Sequence, residues 1–247
     1  MSLLFDSITD EDKVYAVKDL ISDSTPRPSF FFLVSLSVLM AACGLLINNS
    51  AVIIASMLIA PILSPILSLA LGIVISDRNL ISRSLFTLLK SAGFAIGLST
   101  MVTWALWNFT SSTNFMIELN AETLERIQPS IVYLIIAIIA GTATAFARIK
   151  TELSDALPGT AIAVALVPPL ATIGIGLATL RLDVVSGALA MFILNSIGIV
   201  LAAMVMFSLM NLYTKKTVIK KTVHDVDKKL EIEKAKQELE KQKNKSF

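Results

Sequence analysis

The stretch ASMLIAPILSP (residues 55–65) places two prolines, Pro61 and Pro65, in the middle of an apolar segment. Proline has no backbone N–H and its ring clashes with the preceding turn, so it kinks or interrupts a helix. Inside a bilayer, the backbone groups freed by such a break are tolerated only against protein or beside a water-filled cavity. The stretch therefore predicts an interrupted membrane helix with polar backbone atoms in its interior.

A second apolar segment, AVALVPPLAT (residues 163–172), lies at a matching place in the second half of the chain, with Pro168 and Pro169 adjacent. Paired interrupted helices in corresponding halves are the best sequence indication of a transporter binding site. We therefore expect the functional site to lie between these two breaks.

The composition is that of a membrane protein. The chain has 247 residues, of which 55% are hydrophobic and 16% charged, and its mean hydropathy is +0.75. Soluble domains average about a quarter charged residues, and a bilayer span needs about 20 apolar residues. The predicted fold is an all-α integral membrane protein with six transmembrane helices, in which the second and fifth are broken. The six apolar segments are 30–47, 51–75, 85–107, 131–147, 159–180 and 184–213.

Lysine and arginine placement predicts the orientation of these spans. Cytoplasmic connections carry an excess of Lys and Arg, and such residues concentrate before the first span, between the second and third, between the fourth and fifth, and after the sixth. The first apolar run begins only at Phe30, which argues against a cleaved signal peptide. We expect a multi-pass protein of the prokaryotic cytoplasmic membrane with both termini in the cytoplasm.

The two halves of the chain can be aligned on ordered landmarks: Pro61 with Pro168, Asp77 with Asp183, and Lys90 with Asn195. Because each unit has three spans, the second unit inserts upside-down, as in the inverted repeats of many transporters. The expected organisation is a short cytoplasmic amphipathic lead (1–29), a first three-span repeat (30–107), an extracytoplasmic loop (108–129), a second three-span repeat (130–213) and a charged cytoplasmic helix (214–247).

The charged tail has two interpretations that the sequence leaves open. Ile219, Val223, Val226 and Leu230 follow a 4-3-4 spacing that fits a short coiled-coil seam in a homo-oligomer, whereas a solvated charged helix fits the same residues. Its lysines can also contact anionic lipid headgroups. Nucleic acid is not an expected partner, because that would need a denser and less balanced basic surface.

Three hydroxyl residues beside the prolines are candidate substrate-binding residues. Ser64 and Ser68 lie next to Pro61 and Pro65, and Thr172 follows Pro168 by four residues. Hydroxyls at a helix break can satisfy freed backbone groups or coordinate a solute or ion. Close helix packing is the alternative, because small residues recur along these segments.

Two further polar residues, Lys90 and Asn195, complete the candidate substrate site. A charged or strongly polar side chain within a span is costly and is a functional hypothesis by default. The alternative for Lys90 is that its stem reaches the cytoplasmic interface. The alternative for Asn195 is an interhelical hydrogen bond.

The sequence offers no catalytic or metal-binding pattern. Cys43 is the only cysteine and His224 the only histidine, which argues against metal sites built from either residue. No nucleophile elbow, zinc-protease motif or phosphate-binding loop occurs. We therefore expect a non-enzyme without cofactor or metal.

These features predict transport of a small solute. No Asp or Glu lies in the middle of a span, while Lys90 is the one charge near the middle, so an anionic or neutral solute is favoured. Two alternatives remain open at this stage. One is a non-transporting membrane scaffold or sensor that assembles partners through the charged C-terminal helix, and the other is an oligomeric channel.

Residues 49–66 (NSAVIIASMLIAPILSPI) and 159–170 (GTAIAVALVPPL) resemble the prokaryotic membrane family called domain of unknown function 389, the uncharacterised hydrophobic domain. The resemblance covers residues 30–213 and implies a bacterial or archaeal multi-span protein. It implies no particular substrate and no catalytic residues.

Overall fold

The structure is a computed structural model that describes residues 10–23, 25, 27–110, 120–150 and 165–215, together with residues 228 and 232. The regular elements within these ranges are all helical, and no strand occurs among them. They are α1 (Asp10–Asp23), α2 (Pro28–Leu46), α3 (Ser50–Ile59), α4 (Leu63–Val74), α5 (Arg78–Thr110), α6 (Ala121–Glu125), α7 (Ile131–Ile149), α8 (Val167–Ala178), α9 (Leu182–Leu209) and a 3-10 turn (Leu212–Lys215).

Four of these helices, α2, α5, α7 and α9, are long and apolar enough to cross a bilayer, and the bent pair α3–α4 makes a fifth candidate span. The all-helical class and the presence of several membrane-compatible helices are thereby confirmed. The expected fifth segment, 159–180, is described only from residue 165 onward, where α8 is a shorter apolar helix. Most of the expected C-terminal helix (214–247) also lies outside the described residues.

The interruption expected at Pro61 is present. Helix α3 ends at Ile59, Ala60 is extended with ψ 123°, and α4 starts two residues after Pro61 at an angle of 52° to α3. Pro65 falls in the first turn of α4, where backbone N–H groups have no partner within the helix. Pro61 therefore separates the two half-helices, while Pro65 starts the second.

The second proline pair also starts a helix. Pro168 and Pro169 occupy the first turn of α8, where their missing N–H groups leave no hydrogen bond unmade. Just before this turn, Ala165 has a φ of 40°, a conformation that costs a residue with a Cβ about 1–2 kcal/mol. Helix α8 is therefore preceded, two residues before its start, by a strained backbone conformation.

Three tight turns between helices share one geometry. In each, an N–H bonds back to a glycine carbonyl five residues earlier: Asn49 to Gly44 at 2.9 Å, Asp77 to Gly72 at 2.9 Å, and Arg181 to Gly176 at 2.8 Å. The residue before the donor has a positive φ in every case, as in a Schellman ending. A Cβ on each glycine would meet a branched side chain nine positions later at 3.0 Å or less: Ile53, Ile81 and Val185. The glycines allow the paired helices to approach closely.

Helix lengths repeat between the halves. Helices α2 and α7 each have 19 residues, and α4 and α8 each have 12. Helix α8 begins and ends 104 residues after α4, and α9 begins 104 residues after α5. This spacing pairs Pro65 with Pro169, Ser68 with Thr172, and Ser91 with Asn195. It differs from the landmark alignment of the sequence, which pairs Pro61 with Pro168 and Lys90 with Asn195, because apolar segments contain too few distinctive residues to fix the register.

Contacts between the halves centre on the short helices. Helix α4 packs against α5 and α9, and α8 packs against the same two helices. Helix α7 lies along α9, while α2 contacts α3, α5 and α8. Each half-helix that follows a break is therefore buried between the two longest helices, α5 and α9.

Helix α1 is docked rather than free. Ala16, Val17, Leu20 and Ile21 are buried, and α1 contacts α4 and α7. The amphipathic pattern of the lead is thus used for packing. Its apolar face covers the second half of the first broken span.

Candidate functional site

An arginine from the second half of the chain reaches the first helix break. One guanidinium nitrogen of Arg148, at the end of α7, donates to Ser64 Oγ at 2.8 Å, and the other donates to Asp19 Oδ2 of α1 at 2.8 Å. Ser64 is the second residue of α4. We call Asp19, Ser64 and Arg148 the Arg148 cluster. It joins three helices that are far apart in the sequence.

The cluster is largely shielded from solvent. Ser64 is buried, the Arg148 side chain is 18% exposed, and the Asp19 side chain is 41% exposed. The N-terminal end of a helix is favourable for negative charge, and so is a guanidinium. Asp19 supplies that negative charge, and its partial exposure leaves the carboxylate accessible from one side.

Ser68 holds α1 against α4 one turn further along. Its hydroxyl donates to the carbonyl oxygen of Leu20 at 3.1 Å, and the side chain is fully buried. A void of about 10 Å³ lies beside this contact, which is close to the space that one water needs. It is lined by Ala16, Val17, Leu20, Leu71, Arg148, Ile149, Phe207 and Leu212.

Pro61 lies at a more open place. A groove of about 210 Å³ runs past it, between the end of α1 and the start of α2. The other lining residues are Ser22, Thr25, Arg27, Ser29, Phe30 and Leu33. The groove therefore borders the first break itself, whereas the void lies further along α4, against Leu71 and Arg148.

Thr172, the counterpart of Ser68 in the helix spacing, has a different environment. Its hydroxyl is fully buried in α8 and has no hydrogen-bond partner. A buried polar group left unpaired costs about 1–3 kcal/mol. Within the described ranges the same is true of three hydroxyls along the buried face of α5: Ser84, Thr87 and Thr103.

Asn195 supports the second break. Its amide Nδ2 donates to the carbonyl oxygen of Ala165 at 3.4 Å, and the side chain is 4% exposed. Ala165 is the residue with positive φ before α8. The structure therefore places Asn195 of α9 in a hydrogen bond to the backbone two residues before the start of α8.

Lys90 does not join the other candidates. It lies on the exposed face of α5, with Nζ 5.1 Å from the centroid of the Phe31 ring. Its neighbours Phe86 and Leu89 are exposed as well. The sequence places Lys90 within a span but does not show which side of the helix faces inward, and the face of α5 that packs inward is the one with Ser91.

The structure brings Ser64 to Arg148, Ser68 to α1 and Asn195 to Ala165, whereas no hydrogen bond joins Thr172 to them. Sequence reasoning missed Arg148 and Asp19 as site residues. The one sequence signal for Arg148 is its position at the end of an apolar segment. An arginine at that place is equally expected if it only sets the orientation of the span in the membrane. Its contact with Ser64 spans 84 residues and depends on the fold.

A second polar cluster lies at the C-terminal end of α2. Asn120, just before α6, donates from Nδ2 to the carbonyl oxygen of Leu45 at 2.6 Å, and Glu122 N donates to Asn48 Oδ1 at 3.3 Å. Glu122 also bonds to Ser50 and forms an ion pair with Arg126 at 3.0 Å. These hydrogen bonds hold the short α6 against the end of α2 and the turn that leads to α3.

Glu125 of α6 belongs to the same cluster. The Tyr133 hydroxyl donates to one carboxylate oxygen at 2.7 Å, and Arg126 lies 2.9 Å from the other. The hydrogen bond from Tyr133, followed by the charge of Arg126, holds the pKa of Glu125 below its ordinary value of 4.5, while partial burial opposes this shift. Glu125 is thus stabilised in its ionised form.

No group of three metal-ligating His, Cys, Asp or Glu side chains occurs in the part of the chain that the structure describes. The polar groups at the breaks are hydroxyls, an amide, a guanidinium and one carboxylate. Such a set can bind a solute by hydrogen bonds and one positive charge.

Comparisons with known proteins find a family and a relative without an assigned function. The family model "Domain of unknown function (DUF389)" matches residues 57–201. An uncharacterised protein of Methanocaldococcus jannaschii is 34% identical over 174 residues, which are 70% of this chain and 51% of that protein. The chain thus spans about half the length of that relative. No solved structure matches the chain.

Proposed function

This chain belongs to the domain of unknown function 389 family, and we propose that it transports a small solute across a prokaryotic cytoplasmic membrane. The site would lie at the two helix breaks, between Pro61 and Pro65 on one side and Pro168 and Pro169 on the other. The observation that supports this most strongly is the matched pair α4 and α8. Both are 12-residue helices with proline in the first turn, and both pack between α5 and α9.

An inverted repeat of two three-span units explains the matched helices. A constant spacing of 104 residues relates α4 to α8 and the start of α5 to that of α9, with no insertion between them. The shared Schellman geometry of the Gly72 and Gly176 turns fits the same relation. We propose six spans, with the fifth formed by α8 together with the residues before it.

The two short polar helices fit an inverted arrangement too. Helix α1 precedes α2 and docks on the end of α7 through Asp19, while α6 precedes α7 and docks on the end of α2 through Asn120. Each unit would then begin with a surface helix that closes the other unit. In this arrangement α1 lies on the cytoplasmic side with both termini, and α6 lies outside.

The Arg148 cluster favours an anionic solute over a neutral one. The sequence argument for an anion depends on Lys90, which faces outward. Arg148 replaces it as the positive charge at the first break, beside the N-terminal turn of α4. Ser64, Ser68, Thr172 and Asn195 would supply hydrogen bonds to the solute or to the backbone that borders it. No enzymatic activity and no cofactor belong to this proposal.

Rocking of one unit against the other would alternate access to the site. The structure would then correspond to a closed state, since the void beside Arg148 has room for about one water. The orphaned Thr172 hydroxyl is expected to gain a partner when solute or water enters. This is why a buried unpaired hydroxyl is tolerable at this place.

Flux through proteoliposomes tests the proposal. The purified protein would be reconstituted into vesicles. Labelled small anions, including acetate and phosphate, or labelled neutral solutes would then be added to the external medium. Wild-type vesicles should accumulate at least one solute faster than empty vesicles, and Arg148→Gln should reduce the initial rate tenfold or more. Arg181→Gln is the matched control, because Arg181 forms a comparable ion pair at an exposed turn. Absence of flux for every solute would favour a scaffold or sensor, and unitary currents would favour a channel.

We propose further that the protein forms a homo-oligomer through α5. Seven other glycines of the described helices have atoms within 3.4 Å of the position that a Cβ would take, whereas Gly93 and Gly97 have none within 4 Å. These two glycines form a GxxxG pair on the exposed face of α5, a pattern that permits close approach of two membrane helices.

A further inference from the structure

We propose that Arg148 and Ser64 form a binding site for a small carboxylate- or phosphate-type anion, and that Asp19 of α1 occupies this site in the structure. The Asp19 side chain would then be a tethered competitor that the anion displaces from Arg148. The inference rests on the proposed function only in taking the bound anion to be the transported solute.

The donors of the site suit an oxyanion. A guanidinium presents several N–H groups in one plane, which match the oxygens of a carboxylate or phosphate. In this structure one side of the Arg148 guanidinium bonds to the Asp19 carboxylate and the other to the Ser64 hydroxyl, both at 2.8 Å. A serine hydroxyl accepts and donates, so Ser64 can accept from Arg148 and donate to an anion at the same time.

The carboxylate of Asp19 shows where the anion would sit. It lies 2.8 Å from one guanidinium nitrogen of Arg148, on the side of the guanidinium opposite the bond to Ser64. Replacing this carboxylate by a free anion exchanges one charge-assisted hydrogen bond for another. The exchange therefore leaves no buried unpaired charge, which would otherwise be the main cost.

Asp19 is positioned to leave. Its side chain is 41% exposed, more than twice the exposure of Arg148. A tethered group competes at an effective concentration on the order of millimolar. A free anion with no additional contacts should therefore displace the Asp19 carboxylate from Arg148 in that concentration range, and one with further contacts at lower concentrations.

Removing the tethered carboxylate should expose the site. In Asp19→Asn the side chain keeps its shape but loses its charge, and hydrogen bonds to charged groups are the stronger ones. The concentration of anion that half-saturates the protein should fall about tenfold or more. In Arg148→Gln the saturable response should disappear, and in Arg148→Lys it should persist with a weaker affinity because the charge remains.

The test uses the full chain in nanodiscs and needs no flux. Thermal unfolding is followed while acetate or inorganic phosphate replaces chloride at constant ionic strength, in discs of phosphatidylcholine. A second readout places a fluorophore on α1 at Tyr15→Cys, an exposed position, in a Cys43→Ser background. A third arm omits the added anions and uses discs that contain phosphatidylglycerol, which separates a lipid phosphate from a free one.

A saturable rise in unfolding temperature with acetate or phosphate, shifted to lower concentration by Asp19→Asn but not by Asp183→Asn, is the expected result. Asp183 is the control because it forms an exposed Arg–Asp pair of similar length. The inference is overturned if Asp19→Asn and Arg148→Gln respond like the wild type, or if only anionic lipid has an effect. Anion binding without flux would contradict the proposed transport and support the anion site. Flux that depends on neither Asp19 nor Arg148 would support transport and contradict the anion site.

Discussion

Ser99 of α5 donates a hydrogen bond to the carbonyl oxygen of Ala171 in α8 at 2.7 Å, and Gly174 of α8 lies against the same serine. A helix carbonyl normally accepts from the N–H four residues later, so this one accepts a second bond from a neighbouring helix. The bond and the glycine fix α8 on α5 at a distance that leaves no room for a side chain. The position of the second half-helix therefore depends on this contact.

Gly174→Ala should destabilise the protein. A Cβ at this position would lie 2.5 Å from Ser99 Cβ and 2.8 Å from the Ile96 carbonyl oxygen, and neither backbone nor a short side chain can move aside easily. Overpacking of this kind costs about 1–3 kcal/mol. Thermal unfolding in detergent should show a lower transition temperature. The control is Gly93→Ala, where a Cβ meets nothing within 4 Å, and equal effects of the two substitutions would contradict the packing described here.

The interactions of Glu125, which lies outside the membrane-compatible helices, predict that the free energy of unfolding depends on pH. Because the folded pKa of Glu125 is below 4.5, its interactions with Tyr133 and Arg126 contribute stability that is complete above pH 4.5. That stability is lost as the pH falls through the lower, folded pKa. Since the Glu125 side chain is half-exposed, the contribution should be less than about 1 kcal/mol.

The measurement is the difference in unfolding free energy between wild type and Glu125→Gln at several pH values. This difference should be constant from pH 7 to about one unit above 4.5 and should shrink at lower pH. Other carboxylates titrate in both proteins and cancel. A difference that grows on acidification would show that Glu125 is not held in its ionised form.

The open glycines of α5 predict where copies of the chain meet. Gly93→Ile combined with Gly97→Ile should weaken self-association, because bulky residues prevent two helices from approaching at a GxxxG pair. Folding should be unaffected, since both positions are open. Native mass spectrometry or single-molecule photobleaching in nanodiscs would report the subunit number. Leu189→Phe, at an exposed position of α9, is the control. An unchanged subunit number in the glycine variant would place any interface elsewhere.

The sequence predicts the parts of this fold that depend on local chemistry. Proline cannot sit in a helix interior without a break, so the interruption at Pro61 could be predicted from the residue alone. The prolines at 65, 168 and 169 lie in the first turn of the helix that follows, a place that tolerates proline, so their expected effect on the preceding backbone stays a prediction. The distinction depends on a few residues of backbone conformation, such as the positive φ of Ala165, that no sequence pattern fixes.

The candidate site was less predictable because it is built from distant residues. Ser64 was expected at the break, but its partner Arg148 comes from α7 and Asp19 comes from α1. Lys90 was expected inside, and the structure shows it outside, because α5 has a continuous buried stripe of hydroxyls and small residues on the other face. Periodicity separates two helix faces but does not say which one the rest of the chain covers.

The outward position of Lys90 predicts little effect on transport. Lys90→Met retains a long flexible stem over Phe31 and removes only the charge, so solute flux should remain within about twofold of the wild type. The loss of a cation–π contact at an exposed site is worth about 0.5–1 kcal/mol, which limits any effect on stability. Initial rates in proteoliposomes, normalised to protein content, provide the measurement. A tenfold loss of flux in a folded Lys90→Met variant would show that this lysine does take part in transport.

Ser68 and Thr172 occupy equivalent places in α4 and α8, and we expect opposite effects on stability when their hydroxyls are removed. Ser68→Ala loses the buried hydrogen bond to the Leu20 carbonyl, which should cost about 1 kcal/mol. Thr172→Val keeps the shape and removes a buried hydroxyl that has no partner, so it should be neutral or stabilising by up to about 1 kcal/mol. Thermal unfolding of the two variants beside the wild type gives the signs.

The unpaired hydroxyl of Thr172 also predicts an effect on the rate of solute transport. If the hydroxyl is kept unpaired for a solute or for water that accompanies it, Thr172→Val should transport more slowly although it is at least as stable as the wild type. Increased stability with reduced activity is the pattern expected where a protein keeps an unfavourable polar group for function. Thr87→Val is the matched control, because it removes an equally buried and unpaired hydroxyl from another helix, α5. Equal flux in all three proteins would show that the Thr172 hydroxyl does not face the solute.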